Sequence, residues 1–296
     1  MKGKNMRIVS SSDVLEGKYG IEEAIKMIKE AGFEGIDYAM SAEAYGDNYL
    51  AYAKRINDAT KKYGIPVVQL HGPIPKYQLH ETEARADFMK KAARAIEFAG
   101  LIGSANCVLH PMRVAKGNHE EQLAINLGEY SPLIPLAEKA GIKIAIENMC
   151  SFKVNEFGEP VKHVCKSAEE HAKYIDAFES DTVTACFDTG HAAASSEEIC
   201  EFVRVLGGKR LTALHVHDND CQHDLHTIPY NHSVKFDPFL TALADIDYKG
   251  DFTLECIYYI RNIPEALWFA NLKYQADIAR YMRDEVLRRK ENAKNK

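Results

Sequence analysis

The feature that most constrains this chain is a phrase that keeps returning: an amphipathic helix, a glycine, then a short apolar run. "IEEAIKMIKEAGFEGIDY" gives it first, with Ile21, Ala24, Ile25, Ile28 and Ala31 at helical spacing and Gly32 where a helix C-cap falls. "AYAKRINDATKKYGIPVVQLH" repeats it and stops its helix at Gly64. "FMKKAARAIEFAGLIGSANCVLH" and "YSPLIPLAEKAGIKIAIE" follow, the second closing on Gly141. Later come "EEHAKYIDAFESDTVTACFD", "SEEICEFVRVLGGKRLTALH" and "FDPFLTALADIDYKGDFTLE". With the opening run "MRIVSSS" the chain reads as about eight strand–helix alternations. No composition break divides the 296 residues, and one α/β barrel fills such a length. The expected fold is therefore α/β, a single closed (β/α)8 barrel over residues 1–296. Its last part, 264–296, is expected to hold a long helix from about Pro264 to Arg289 and the basic tail "RRKENAKNK" as a frayed, solvated end. An open doubly wound sheet fits less well, because no G-x-G-x-x-G follows any predicted strand.

Composition narrows the function classes. The net charge is −6, so no global positive field exists to hold nucleic acid. Seven scattered cysteines with no CxxC pair read as free thiols, and "MKGKNMRIVSSSD" turns polar too early for a signal peptide. No apolar run approaches the roughly 18 residues of a membrane span. A cytoplasmic protein with no membrane partner is the expectation.

The ends of the predicted strands carry the chemistry. They read "VVQLH" to His71, "NCVLH" to His110, "KIAIE" to Glu147, "TACFD" to Asp188, "LTALH" to His215 and "DFTLE" to Glu255. Each apolar run stops on a residue able to coordinate a metal. In a barrel the C-terminal strand ends share one face, so these side chains, far apart in sequence, should converge on one mouth. A polar turn explains one or two such endings, but not the whole set.

Three further residues join them. His191 follows Asp188 in "DTGHA", a spacing that one turn at a helix start brings to the same centre, and Asp224 and His226 form a D-x-H in "HDLH". Oxygen and imidazole donors without thiolate suit one divalent ion such as Mn²⁺, Co²⁺, Mg²⁺ or Zn²⁺. The plainest ligand set is Glu147, Asp188, His215 and Glu255, one from each of strands five to eight. His215 and His217 point the same way on a strand. The shared lead of four residues favours His215 as the ligand and leaves His217 one step further out, as a substrate contact or a support for the ligands.

These residues resemble a known group, the xylose-isomerase-like TIM barrels, which comprise sugar and sugar-phosphate isomerases and epimerases together with endonuclease IV. The resemblance covers nearly the whole chain and rests on "IEN" at Glu147, "DTGH" at Asp188 and His191, "HVHDND" at His215, "DLH" at Asp224 and His226, and "TLE" at Glu255. The sugar branch implies a metal-dependent isomerase or epimerase acting through an enediolate, with Glu147 and Glu255 as the acid–base pair. Its substrate is a small sugar or sugar phosphate. The endonuclease branch implies up to three Zn²⁺ and a phosphodiesterase for abasic DNA; residue types match its ligands at His71, His110, Glu147, Asp188, His191, His215, Asp224, His226 and Glu255. Charge separates the two. The loops "HGPIPKYQLHETE" and "HDNDCQHDLHTIPYNH" hold one lysine between them and no arginine, whereas a duplex needs several cationic contacts to phosphate. The sugar branch is the favoured reading.

Under that reading His71, His110, His191, His217, Asp224 and His226 are candidate contacts for substrate hydroxyls. Asn148 is expected to orient Glu147 or the substrate. Arg113 in "HPMR" and Arg261 in "YYIRN" are the available partners for an anionic substrate group, or else plain surface charges. Phe152, Phe157 and Tyr230 are candidates for lining the mouth. With them the run "YYIRNIPEALWF", near Tyr258 to Phe269, is a candidate for lining the mouth or for subunit packing; at helical spacing the run reads as core or as a contact between copies in a homo-oligomer rather than as ligand wall.

Overall fold

Eight short strands run parallel around a ring in this computed structural model, which describes residues 6–75, 82–112, 118–150 and 164–295. They are β1 (Ile8–Ser11), β2 (Gly35–Ala39), β3 (Val67–His71), β4 (Asn106–Leu109), β5 (Lys143–Glu147), β6 (Val183–Asp188), β7 (Leu211–His215) and β8 (Phe252–Leu254). Each pairs with its sequence neighbour, and β8 returns to β1. The ring closes between β7 and β8 through Val216, whose N–H donates to Thr253 O at 2.9 Å and whose carbonyl accepts from Glu255 N at 3.0 Å. The fold is a single (β/α)8 TIM barrel. Arg113, Phe152 and Phe157 lie outside the described residues.

The recurring phrase folds as its pattern dictates. Helix Ile21–Ala31 buries Ile21, Ala24, Ile25, Ile28 and Ala31, and Gly32 ends it at φ 105, a left-handed conformation that costs a side chain strain. Each fully buried isoleucine on that face contributes roughly 1.5–3 kcal/mol.

Strand residues alternate between two cores. Phe187 points outward against Phe202 and Phe239, with ring centroids at 5.0 and 5.9 Å. Val108, Ala145, Cys186 and Ala213 point inward and form a separate buried cluster. Each of these four stands two residues before His110, Glu147, Asp188 or His215. The twofold period of a strand therefore sets the coordinating residues on the inner face, directly above a small apolar plug.

The C-terminal segment departs from the expected boundaries. Pro264 is extended, Glu265–Leu267 form a 3-10 turn, and the α-helix runs from Trp268 to Lys294. The expected fraying is not seen up to Lys294, while the expected solvation is: Glu291–Asn295 are exposed. Arg289 donates to Asp237 O at 2.7 Å and to Thr241 Oγ1 at 2.6 Å, while Arg288 pairs with Glu285 at 2.7 Å. The Arg289 bonds tie the start of the basic tail to the helix Phe236–Asp245, while Arg288 pairs within its own helix. No described helix is long and apolar enough to cross a membrane.

Candidate metal and active site

The strand ends meet in one mouth. A cavity of about 630 Å³ is lined by Ser11, Asp37, His71, His110, Glu147, His191, Asp224, His226 and Glu255, with Tyr45, Lys91 and Tyr258 beside them. Glu147 is its hub. Glu147 Oε1 lies 3.0 Å from His215 Nδ1 and 3.4 Å from His191 Nδ1; Oε2 lies 3.1 Å from His110 Nε2 and 3.7 Å from His71 Nε2. Glu255 Oε2 reaches the same His215 Nδ1 at 3.4 Å. Two glutamates from β5 and from the end of β8 thus face one buried nitrogen.

A second group gathers around Asp188. His217 Nε2 lies 3.1 and 3.0 Å from its two carboxylate oxygens and 3.6 Å from Asp224 Oδ1. Asp224 Oδ2 also stands 3.4 Å from His191 Nε2 and 3.2 Å from His226 Nε2. "DTGH" works locally as a helix start: Asp188 caps the helix Thr189–Ala194 by accepting from His191 N at 2.6 Å. That turn lifts His191 back over Glu147. Gly190 is needed there, because a Cβ would run into the His217 ring. Asp218 organises the following loop. Its carboxylate accepts from the backbone N–H of Asn219, His232 and Val234 at 2.8, 2.8 and 2.9 Å.

The structure sorts the sequence candidates. His71, His110, His191, Asp224 and His226 line the cavity. Asp188, His215, His217 and Asn148 are 0% exposed and lie behind its wall. His217 and Asn148 are thus set back from the residues that line the cavity. Asn148 instead joins β5 to β6: its Nδ2 donates to Asp188 O at 2.9 Å and its Oδ1 accepts from Asp188 N at 2.7 Å. Arg261 is exposed and stacks over Tyr258, with its guanidinium carbon 5.1 Å from the ring centroid.

The strand-end pattern passed over several lining residues, among them Asp37 and Tyr258. Asp37, 2% exposed on β2, lines the cavity with its Oδ2 3.4 Å from His215 Nε2. It sits in the middle of "GIDYA" rather than at a strand end, so the end-residue pattern passed over it. The signal was an acid inside an otherwise apolar strand. Tyr258 also lines the cavity, its ring 5.3 Å from that of His226 and edge-on. It belongs to the 3-10 segment Ile257–Asn262, and the α-helical spacing that assigned it to core or subunit contact does not apply there.

Burial and charge pull these groups apart. Burial raises the Glu255 carboxyl to about 8. Burial also opposes ionisation of Glu147, but His215 and His110 outweigh it and hold that carboxyl well below its usual range. For His226 burial acts downward, and Glu255 and Asp224 overcome it to leave the imidazole at about 10. His71 is lowered to about 4, by burial first and by the neighbouring His110 second. Burial pushes the Cys150 and Cys186 thiols up to about 12.

A divalent cation fits these donors. Glu147 Oε2, Glu255 Oε2, Asp224 Oδ1 and His217 Nδ1 are buried atoms with no hydrogen-bond partner, an arrangement that costs free energy unless another charge compensates. Ligand atoms lie within 4.8 Å of one another in the groups His71–His110–Glu147, His71–His215–Glu255 and His217–Asp224–His226. Cys186 and Cys150 come within the same reach, beside Glu147 with His215 and beside His191 with Asp224 respectively.

A family model described as the xylose isomerase-like TIM barrel matches residues 25–281. The chain belongs to that family. Family members differ in what they are named for. A fructoselysine 3-epimerase of Shigella flexneri is 24% identical over 258 residues, covering 82% of this chain and 88% of the relative. A probable endonuclease 4 of Acholeplasma laidlawii is 26% identical over 162 residues, 52% of this chain and 50% of that protein. Among solved structures, a D-tagatose 3-epimerase-like protein superposes with a TM-score of 0.75 at 22% identity, covering 97% of this chain and 99% of that one. The IolI protein with a bound zinc atom gives 0.72 at 14% identity, covering 95% and 98%. These structural likenesses establish the shared barrel.

Proposed function

We propose that this xylose isomerase-like barrel is a divalent-metal-dependent epimerase or isomerase of a small polyhydroxylated carbonyl compound, a ketose or its phosphate. The observation that carries the reading is the convergence of Glu147 Oε1 and Glu255 Oε2 on His215 Nδ1, at 3.0 and 3.4 Å, beside a cavity of about 630 Å³. That volume suits a single small ligand. The 3-epimerase names among the relatives and solved neighbours support the reaction class.

Glu147, Asp188, His215 and Glu255 would hold the ion, with the mouth histidines completing its surroundings. When bound, the ion supplies positive charge that stabilises the negative charge developing on the substrate's carbonyl and adjacent hydroxyl oxygens. Glu147 and Glu255 move the proton. One carboxylate takes it from the carbon next to the carbonyl and the other returns it. Return to the opposite face of the same carbon gives epimerisation, and return to the neighbouring carbon gives aldose–ketose interconversion. His71, His110, His191 and His226 orient the hydroxyls by donating or accepting hydrogen bonds, and Tyr258 closes one side of the cavity.

The test is exchange of substrate C–H protons with deuterated water across a panel of ketoses, inososes and their phosphates. Glu255→Gln should keep the fold and lower exchange by about 10²–10⁴-fold. Undiminished exchange by that variant removes Glu255 from the chemistry, and no exchange on any compound removes the reading.

A second reading has its own support. The ligand-distance group His71–His110–Glu147 and the D-x-H pair of Asp224 and His226 fit a centre of up to three Zn²⁺, and one relative is a probable endonuclease 4. Metal-dependent nicking of an abasic-site duplex at low salt would establish that reading over the first.

A further inference from the structure

We propose that Asp37 is a positioning residue for His215: it holds the ring's Nε2–H and thereby leaves the Nδ1 lone pair facing Glu147 and Glu255. The inference rests on the metal-centre reading above.

The mouth histidines are held in two different ways. His71, His191 and His226 each place Nδ1 on a main-chain carbonyl: Gly72 O at 3.0 Å, Asn148 O at 2.9 Å and Glu255 O at 3.0 Å. Their Nε2 atoms are thereby turned toward carboxylates, Glu147 for His71 and Asp224 for the other two. His215 is inverted. It presents Nδ1 to Glu147 and Glu255, and the atom that needs an anchor is Nε2. No main-chain oxygen takes that role among the described contacts: Nε2 is buried without a hydrogen-bond partner, and the charged group that approaches it is Asp37 Oδ2, at 3.4 Å.

The needs of the two residues match. Asp37 is 2% exposed, and its Oδ1 has no hydrogen-bond partner. A carboxylate so buried requires a donor or a positive neighbour. His215 is 0% exposed and stacked at 8° on the His71 ring, with centroids 5.4 Å apart, so its plane is fixed by packing. A neutral imidazole carries one proton. With that proton on Nε2 facing Asp37, Nδ1 is the lone pair, aimed where a cation would be shared with the two glutamates. A carboxylate behind a ligating histidine fixes its tautomer and raises its basicity, and loss of such a partner typically weakens metal binding about 10–100-fold.

The experiment titrates the metal-free full-length protein with Co²⁺ and Mn²⁺, following the Co²⁺ visible spectrum and the heat of binding. Asp37→Leu, which removes the acceptor at similar volume, should bind about 10–100-fold more weakly and shift the Co²⁺ spectrum. Asp37→Asn keeps an amide oxygen able to accept and should restore most of the affinity and the spectrum. A folded Asp37→Leu variant that matches the wild type in both readouts overturns the proposal. A measurement on the wild type alone covers the case of misfolded variants: nitrogen-15 NMR of the Zn²⁺-loaded protein should find the His215 proton on Nε2, and a proton on Nδ1 overturns the proposal. Wild type that binds no divalent ion overturns the metal-centre reading and this inference together. Wild type that binds, with an unchanged folded Asp37→Leu, sinks this inference alone.

Discussion

The mouth has two halves built by different means. On one side His71, His110, Glu147, His215 and Glu255 come from strand ends, or from the residue immediately after a strand, and are fixed by the barrel itself. On the other, Asp224 and His226 ride on the loop after β7, and Asp218 holds that loop by accepting backbone N–H groups. Asp188 and His191 join the two, since His191 lies 3.4 Å from both Glu147 and Asp224. A strand-borne group inherits its place from pairing that the whole sheet enforces. A loop-borne group depends on a few local bonds, so the halves should fail separately.

The largest effect is expected at the hub. Glu147→Ala removes the carboxylate that meets His71, His110, His191 and His215, leaving those imidazoles without their shared counter-charge. Divalent-ion binding by calorimetry should disappear. Retained tight binding would show that the loop half holds an ion unaided.

Asp218→Ala should come next, on stability rather than on metal. It leaves buried N–H donors without an acceptor, at a cost of about 3 kcal/mol by thermal or denaturant unfolding. Hydrogen exchange should rise in the loop carrying Asp224 and His226 while β5 and β8 stay protected. Uniform loss of protection would break the division into halves.

His226→Ala tests the loop half directly. It removes an imidazole that Asp224 and Glu255 both face, and should weaken substrate binding by about tenfold, a little over 1 kcal/mol, while affinity for the first divalent ion stays near that of the wild type. A large drop in that affinity would mean that the two halves bind one ion jointly.

The smallest effect lies outside both halves and serves as their reference. Glu16 accepts from Tyr52 Oη at 2.5 Å, and burial raises its carboxyl from 4.5 to about 7. The folded state binds this proton more tightly than the unfolded chain does. Its contribution is therefore fully present below the unfolded value and is lost as pH rises through about 7. Glu16→Gln should flatten that part of the stability profile and leave metal binding unchanged; an unaltered slope would assign it to the mouth carboxylates instead.

Much of this was legible in the chain, and the exceptions have physical causes. The eight alternations and the glycines at 32, 64 and 141 fixed the barrel, because helix caps and strand periodicity are local properties. The strand-end residues were legible for the same reason: a period of two, counted back to Val108, Ala145, Cys186 and Ala213, determines which face they share. The tertiary structure decided what periodicity does not encode. It turned Asp37 from a mid-strand acid into a neighbour of His215, because β2 and β7 meet only across the closed barrel. It set His217 and Asn148 behind the wall, because burial depends on what packs in front of them. It brought Tyr258 to the mouth, because a 3-10 turn rotates side chains differently from the α-helix its spacing imitates. Sequence alone determined which groups share a rim; the three-dimensional packing alone decided which of them face one another across it.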